Sequence, residues 1–178
     1  MLKFAKLYEQ ELSKTYLTII CEPRYGYISE DYISAHKIDE DDWNYVQRVS
    51  LYENKIIGYM HGSTSRASNR IVQLNIWSVA GTLKEYREFE LDCLNFLLYL
   101  LNNFRKIEWS VCVNNPVKKS YRKLIKELNG SIVGISQQVH LINGKYEDEE
   151  LYEIMSTDEV KLKLQDLITR RQNAFSRQ

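Results

Sequence analysis

The stretch Arg105-Lys106-Ile107-Glu108-Trp109-Ser110-Val111-Cys112-Val113-Asn114-Asn115-Pro116-Val117-Lys118-Lys119-Ser120-Tyr121 changes its hydrophobic period partway along. Ile107, Trp109, Val111 and Val113 alternate with Glu108, Ser110 and Cys112, the two-residue repeat of a strand with one face on a core. Asn115-Pro116 interrupts that repeat and reads as a helix start, with Asn as cap and Pro in the first turn, where its missing N–H has no intrahelical partner. Val117, Tyr121, Leu124, Ile125 and Leu128 then recur at helical spacing, and Lys118, Lys119, Arg122, Lys123 and Lys126 take the opposite face as a solvated surface. Asn129-Gly130 supplies a left-handed stop.

On the N-terminal side, Phe89 to Phe104 carries two apolar stripes and predicts a helix buried on more than one side, preceded by a loop over Ala80 to Glu88. Three strand-like runs come before it, Val46–Tyr52, Ile56–Ser63 and Ile71–Val79, and they predict an antiparallel meander. In the third run Val72, Leu74 and Ile76 alternate with Gln73, Asn75 and Trp77, placing the first set on the core. On the C-terminal side, Asn143-Gly144 joins the runs Ser131–Ile142 and Lys145–Met155 into a hairpin. Ser156-Thr157-Asp158-Glu159 fits a capping box for a last helix striped by Val160, Leu164, Leu167, Ile168 and Phe175. Residues 1–40 show only a helical stretch around Tyr8 to Ile20.

The order from Trp43 is therefore β-β-β-α-β-α-β-β. The fold class is α+β: a mixed, mostly antiparallel sheet flanked by helices, with a C-terminal helix. The expected organisation is one domain over residues 1–155, its core over 43–155, and a helical extension over 156–178 that covers the domain or closes a homodimer.

Composition narrows the function. The 178 residues, 44% of them hydrophobic, suffice for one core. Lys plus Arg and Asp plus Glu are both 24, so no bulk field draws the chain to nucleic acid or an anionic membrane. No apolar run reaches the roughly 18 residues of a membrane span, no signal-peptide pattern opens the chain, and Cys21, Cys93 and Cys112 suit a reducing compartment, so a cytoplasmic location is expected. No His/Cys/Asp group has metal-ligand spacing, and Cys93 and Cys112 read as buried thiols. Asp39-Glu40-Asp41-Asp42 reads as a solvated loop.

The element order, Asn114-Asn115-Pro116 after a strand, and Tyr121 in the following helix together resemble the GNAT acyltransferase superfamily over residues 43–155. The stretches Arg105–Val111, Asn114–Tyr121, Asn129–Gly134 and Asn143–Tyr146 look like a divergent set of GNAT-like proteins of Gram-positive bacteria and their phages. The resemblance implies transfer of an acetyl group from acetyl-CoA to the amine of a small molecule or protein, by direct attack on the thioester. It also implies that the strands matching Ile71–Val79 and Lys106–Val113 splay and receive the pantetheine arm of CoA through main-chain groups, beside Trp77, Ser78 and Val79. Asn114 would touch that arm, Lys118 on the basic helix face would neutralise the adenosine 3′-phosphate, and Tyr121 would protonate the departing thiolate.

A tyrosine suits that last role because it is un-ionised at pH 7, with a typical pKa of about 10. The amine must lose its proton to a base, for which the candidates are Glu108, His61 or a water held by Gln73 or Asn75. The chain departs from the family at the pyrophosphate loop, where a Q/R-x-x-G-x-G/A motif is usual. Here Gly81-Thr82-Leu83-Lys84-Glu85-Tyr86-Arg87-Glu88 has one glycine; Lys84 and Arg87 can partly replace the missing amides, while Glu85 and Glu88 oppose a phosphate. The alternative reading is a GNAT-fold protein that no longer transfers acyl groups and binds a protein partner instead.

Overall fold

A computed structural model of the chain describes residues 1–20, 22, 27, 38–142 and 144–176. A short strand β1 (Leu2–Phe4), one 3₁₀ turn (Ala5–Tyr8) and helix α1 (Glu9–Ile20) precede the meander β2 (Tyr45–Tyr52), β3 (Lys55–Ser65) and β4 (Arg70–Ser78). Helix α2 (Leu83–Asn103), β5 (Lys106–Cys112), α3 (Lys118–Glu127), β6 (Ser131–Ile142), β7 (Lys145–Met155) and α4 (Asp158–Ser176) follow. The strands form one sheet in the order β1-β2-β3-β4-β5-β7-β6, antiparallel throughout except for β4 beside β5. The predicted element order from Trp43 and the α+β class are those of the structure.

Local chemistry explains most of these boundaries. The β2–β3 turn places Glu53 and Asn54 at φ of 47° and 63°, the paired positive angles of a type I′ hairpin. Gly144 at φ 76° serves the β6–β7 turn, while Asn143 lies outside the described residues. Asn129, at φ 53°, takes the left-handed stop after α3, and a Cβ on Gly130 would stand 2.7 Å from Glu153 O, so the glycine is required by close approach to β7.

The two sheet faces carry separate cores. On one, α2, α3 and α4 bury Phe96, Leu100, Ile125, Leu128, Leu164 and Leu167 against Ile71, Ile107, Trp109 and Ile154. On the other, Leu12, Tyr16 and Ile19 of α1 cover Val49, Tyr59 and Trp77. Among the described residues no helix is long and apolar enough to cross a membrane.

Four readings of the sequence are corrected. Helix α2 begins at Leu83, six residues before Phe89, because Thr82 and Glu85 close its N-terminus as a capping box; the expected loop is largely helix. Helix α3 begins at Lys118, since Asn115 caps only a preceding turn, its Oδ1 accepting from Val117 N–H at 3.1 Å. Val72 is 40% exposed because the β3–β4 register slips: Ser63 opposes Gln73 but Thr64 opposes Ile71, leaving Val72 as an extra residue. The acidic run is not a free solvated loop. Arg48 binds both oxygens of Asp42, at 2.8 and 2.6 Å, Lys6 pairs with Glu40 at 3.0 Å, and Asp39 is buried.

The cap of α4 is Thr157, whose Oγ1 accepts from Val160 N–H at 3.2 Å; Ser156 instead donates from Oγ to Leu101 O. Val160, Leu164, Leu167 and Ile168 lie in the same core as α2, so the apolar stripe of α4 covers its own chain. Replacing the fully buried Leu164 by Ala leaves a cavity between α4 and α2, and chemical unfolding should register a loss of about 2–5 kcal/mol. A loss below about 0.5 kcal/mol, the range of ordinary surface changes, would mean that α4 is only an appendage.

Candidate active site

Strands β4 and β5 are parallel partners at only two positions, Arg70 with Lys106 and Ile71 with Ile107, and then diverge. A cavity of about 580 Å³ opens between them, with Ile76 and Trp77 on one wall, Trp109 on the other, Phe89 and Cys93 of α2 below, and Val117 and Tyr121 of α3 closing the side. The strand edges that face this gap carry unused main-chain groups. Val79 N–H donates to Ile57 O at 2.9 Å, so by the alternation of a strand Ile76 and Ser78 turn their N–H and C=O groups away from β3, into the gap. Val113 N–H donates to Asp148 O at 2.9 Å and Ser156 N–H to Arg105 O at 2.8 Å, which ties the odd-numbered residues of β5 to β7 and turns Ser110 towards the gap, while Cys112 O accepts from Asn115 N–H at 3.0 Å. Two open edges around an apolar channel suit an extended ligand carrying amides.

Tyr121 stands in this cavity. Its ring meets Trp109 at 5.8 Å and 70° and Tyr152 at 6.1 Å and 61°, and Trp109 stacks on Tyr152 at 5.4 Å and 16°. Burial, with the Cys93 thiol near by, pushes the Tyr121 phenol well above its ordinary value, so it keeps its proton. Among the described residues Oη has no hydrogen-bond partner, which leaves that proton available to a group in the cavity.

Other candidates from the sequence lie in varied places. Trp77 and Ser78 line the cavity, whereas Val79 lines a groove under α1. Glu108 sits at the closed end of the splay, held by Lys106 at 2.7 Å and Arg70 at 3.1 Å. His61 packs against Tyr45 and Tyr59, with Ser63 Oγ at 3.1 Å from Nε2. Gln73 is exposed and Asn75 half-buried. Asn114 is exposed and outside the cavity lining, which Asn115 joins instead; on the basic face Lys123 lines the cavity and Lys118 does not. Lys84 lies over the Tyr52 ring at 5.5 Å and Arg87 over Phe175 at 5.4 Å, and neither is in the lining.

The helix end beneath the open end of β4 is partly satisfied from within. Glu85 Oε2 accepts from the N–H groups of Gly81 and Thr82, at 2.8 and 3.0 Å, and Glu85 N–H donates to Thr82 Oγ1 at 3.2 Å. Those backbone bonds hold the Glu85 carboxyl below its usual value. The cleft is thus open to an extended ligand, while at the α2 N-terminus the Glu85 carboxylate stands beside the Leu83 and Lys84 amides, which bond to no described residue.

Three features were missed in the sequence. Arg122, on the supposedly solvated face of α3, reaches the buried Glu150 on β7, with Nη2 to Oε1 at 2.7 Å and Nε to Oε2 at 3.1 Å; Tyr152 Oη donates to the same carboxylate at 2.8 Å. Arg171 Nε lies 3.2 Å from Glu90 at the cavity rim, joining α4 to α2. On the opposite sheet face, Glu149 accepts from Ser110 Oγ and lies 2.9 Å from His140 Nε2, and the neighbouring Glu147 accepts from Tyr27 at 3.3 Å, itself a lining residue. Only the length of the acidic run Glu147–Glu150 hinted at these carboxylates.

No family model matches the sequence, and no curated protein does. Solved structures do share its fold. A chimera of the spermidine N-acetyltransferase SpeG from Vibrio cholerae and hSSAT superposes with a TM-score of 0.65 at 16% identity, covering 90% of this chain and 97% of that one. A mutant form of the spermidine/spermine N-acetyltransferase SpeG from Vibrio cholerae gives 0.53 at 20% identity, over 68% and 72% of the two chains. A probable acetyltransferase of the GNAT family from Chromobacterium violaceum gives 0.53 at 12% identity, over 65% and 61%. Another structure described as a probable acetyltransferase matches over 63% of its own length, with a TM-score of 0.51, 13% identity and 64% of this chain covered. The chain thus has the GNAT fold.

The Arg122–Glu150 bond holds the Glu150 carboxyl below its ordinary value. Its contribution to stability is complete above the ordinary Glu pKa of about 4.3 and is lost as pH falls through the depressed value. Urea unfolding at stepped pH should show a shallower acid limb for Glu150→Gln than for the wild type, and an unchanged limb would mean the pair has no influence. Arg122→Ala, which strands the carboxylate, should cost about 1–3 kcal/mol at neutral pH.

Proposed function

We propose that the protein is a GNAT N-acetyltransferase that moves an acetyl group from acetyl-CoA to an amine by direct attack on the thioester. The observation that carries this reading is the un-ionised, unbonded Tyr121 hydroxyl inside the cavity opened by the splay of β4 and β5. Acetyl-CoA supplies an activated acyl carbon and a sulfur leaving group. The open edges at Ile76, Ser78 and Ser110 align the arm, Trp77 and Trp109 exclude water along it, and Tyr121 holds a proton at Oη for the sulfur that departs.

The transfer balances without any further reagent. The C–S bond breaks and a C–N bond forms; the amine loses one proton, and the thiolate gains the one held by Tyr121, which solvent restores. Glu149 with His140, two residues along β7 from the Glu147 that accepts from the cavity-lining Tyr27, is the proton acceptor in this reading, since Glu108 is held by Lys106 and Arg70. The acceptor is the amine of a small molecule or protein, and the polyamine acetyltransferases of the same fold make spermidine the first to assay.

Tyr121→Phe removes one hydroxyl that bonds to no described residue, so it should leave the melting temperature in place while lowering turnover at least about tenfold. Steady-state rates with acetyl-CoA and an accepted amine check this, and unchanged turnover would remove Tyr121 from the chemistry. The competing reading, a GNAT-fold binding module, gains support from the Glu85 carboxylate at the α2 N-terminus; it predicts neither acetyl-CoA affinity nor turnover.

A further inference from the structure

The N-terminus of a helix attracts phosphate because its first amides lack intrahelical partners and its dipole is positive there. In α2 part of that set is committed, while the Leu83 and Lys84 amides bond to no described residue. The amides of Gly81 and Thr82 end on Glu85 Oε2, the Glu85 amide ends on Thr82 Oγ1, and Tyr86 N–H closes the first helical bond to Thr82 O at 3.0 Å. A carboxylate of this chain thus lies against the mouth of the helix, where it repels an incoming anion, and Glu88 follows one turn along. The two cations that open the helix lie over aromatic rings, Lys84 on Tyr52 and Arg87 on Phe175, outside the cavity lining. Beyond this helix end the channel between β4 and β5 keeps its length, its apolar walls and its two open main-chain edges.

From this, and resting on the acyltransferase reading above, we propose that the donor is recognised by its acyl-pantetheine arm alone, with Glu85 excluding a nucleotide diphosphate from the α2 N-terminus. The substrate class is an acyl-pantetheine thioester, and the nucleotide of CoA is a carrier that the protein does not read. The same arm also occurs as a phosphopantetheine thioester on an acidic carrier protein, and the surface of α3 with Lys119, Lys123 and Lys126 exposed offers such a carrier opposite charge.

Calorimetric titration of the full chain with pantetheine, CoA and adenosine 3′,5′-diphosphate tests this without knowledge of the acceptor. The expected result is that pantetheine and CoA bind with Kd values within about tenfold of each other, and that the diphosphate gives no heat up to about 1 mM. CoA binding more than about 100-fold tighter than pantetheine, with saturation by the diphosphate, overturns the inference and leaves the acyltransferase reading standing. Failure of both pantetheine and CoA to bind overturns the acyltransferase reading itself.

Glu85→Ala frees the amides and should raise the CoA-to-pantetheine preference at least about tenfold, with pantetheine binding as the internal control for folding. Glu85→Gln, which can still accept from those amides as a capping-box residue, should raise it less. An unchanged ratio in Glu85→Ala, with pantetheine binding intact, overturns the role given to Glu85. Once an acceptor is known, rates with acetyl-pantetheine and with an acetylated carrier protein separate the two sources, a faster carrier-protein rate assigning the donor to the carrier.

Discussion

Everything in the site follows from two parallel strands that stay paired for two residues and then part. Had β4 and β5 continued as a ladder, Ile76, Ser78 and Ser110 would have found main-chain partners across it and the sheet would be closed. Instead β4 is held to β3 and β5 to β7 along their outer edges, and the sheet's twist is taken up by a gap. Unused main-chain groups inside a protein are costly unless something binds them, which makes the gap the candidate site.

That gap needs rigid walls, and the structure supplies them from the side of α3. Trp109, Tyr121 and Tyr152 pack as one aromatic cluster drawn from three elements, so the position of the Tyr121 hydroxyl is set by β5 and β7 as well as by its own helix. The Arg122–Glu150 bond fastens α3 to β7 behind that cluster. On the facing side, Gly58 permits Phe89 to lie directly on β3, because a Cβ there would stand 2.1 Å from the Phe89 ring, and α2 is thereby brought under the splay. Helix α4 completes the floor through Leu167 and Arg171.

Glu85 gives this GNAT fold its individual character. One residue serves as helix cap and as anion substitute, and both roles follow from its place three residues after Thr82. The channel between β4 and β5 stays open while a carboxylate stands at the helix end beside it.

The sequence by itself determined the order of the elements, the turns at Glu53-Asn54 and Asn129, and the amphipathic faces of β5, α3 and α4, because periodicity and turn chemistry act over a few residues. The capping box at Thr82–Glu85 was equally local and legible, though the apolar stripe from Phe89 drew attention away from it. Only the tertiary structure decided where β4 leaves β5, that a bulge turns Val72 to solvent, and that Arg122 meets Glu150 and Tyr27 meets Glu147 across 28 and 120 residues of chain. Those outcomes depend on which surfaces pack when remote segments come together, and a hydrophobic pattern states only that a residue faces a core, never which residue faces it there.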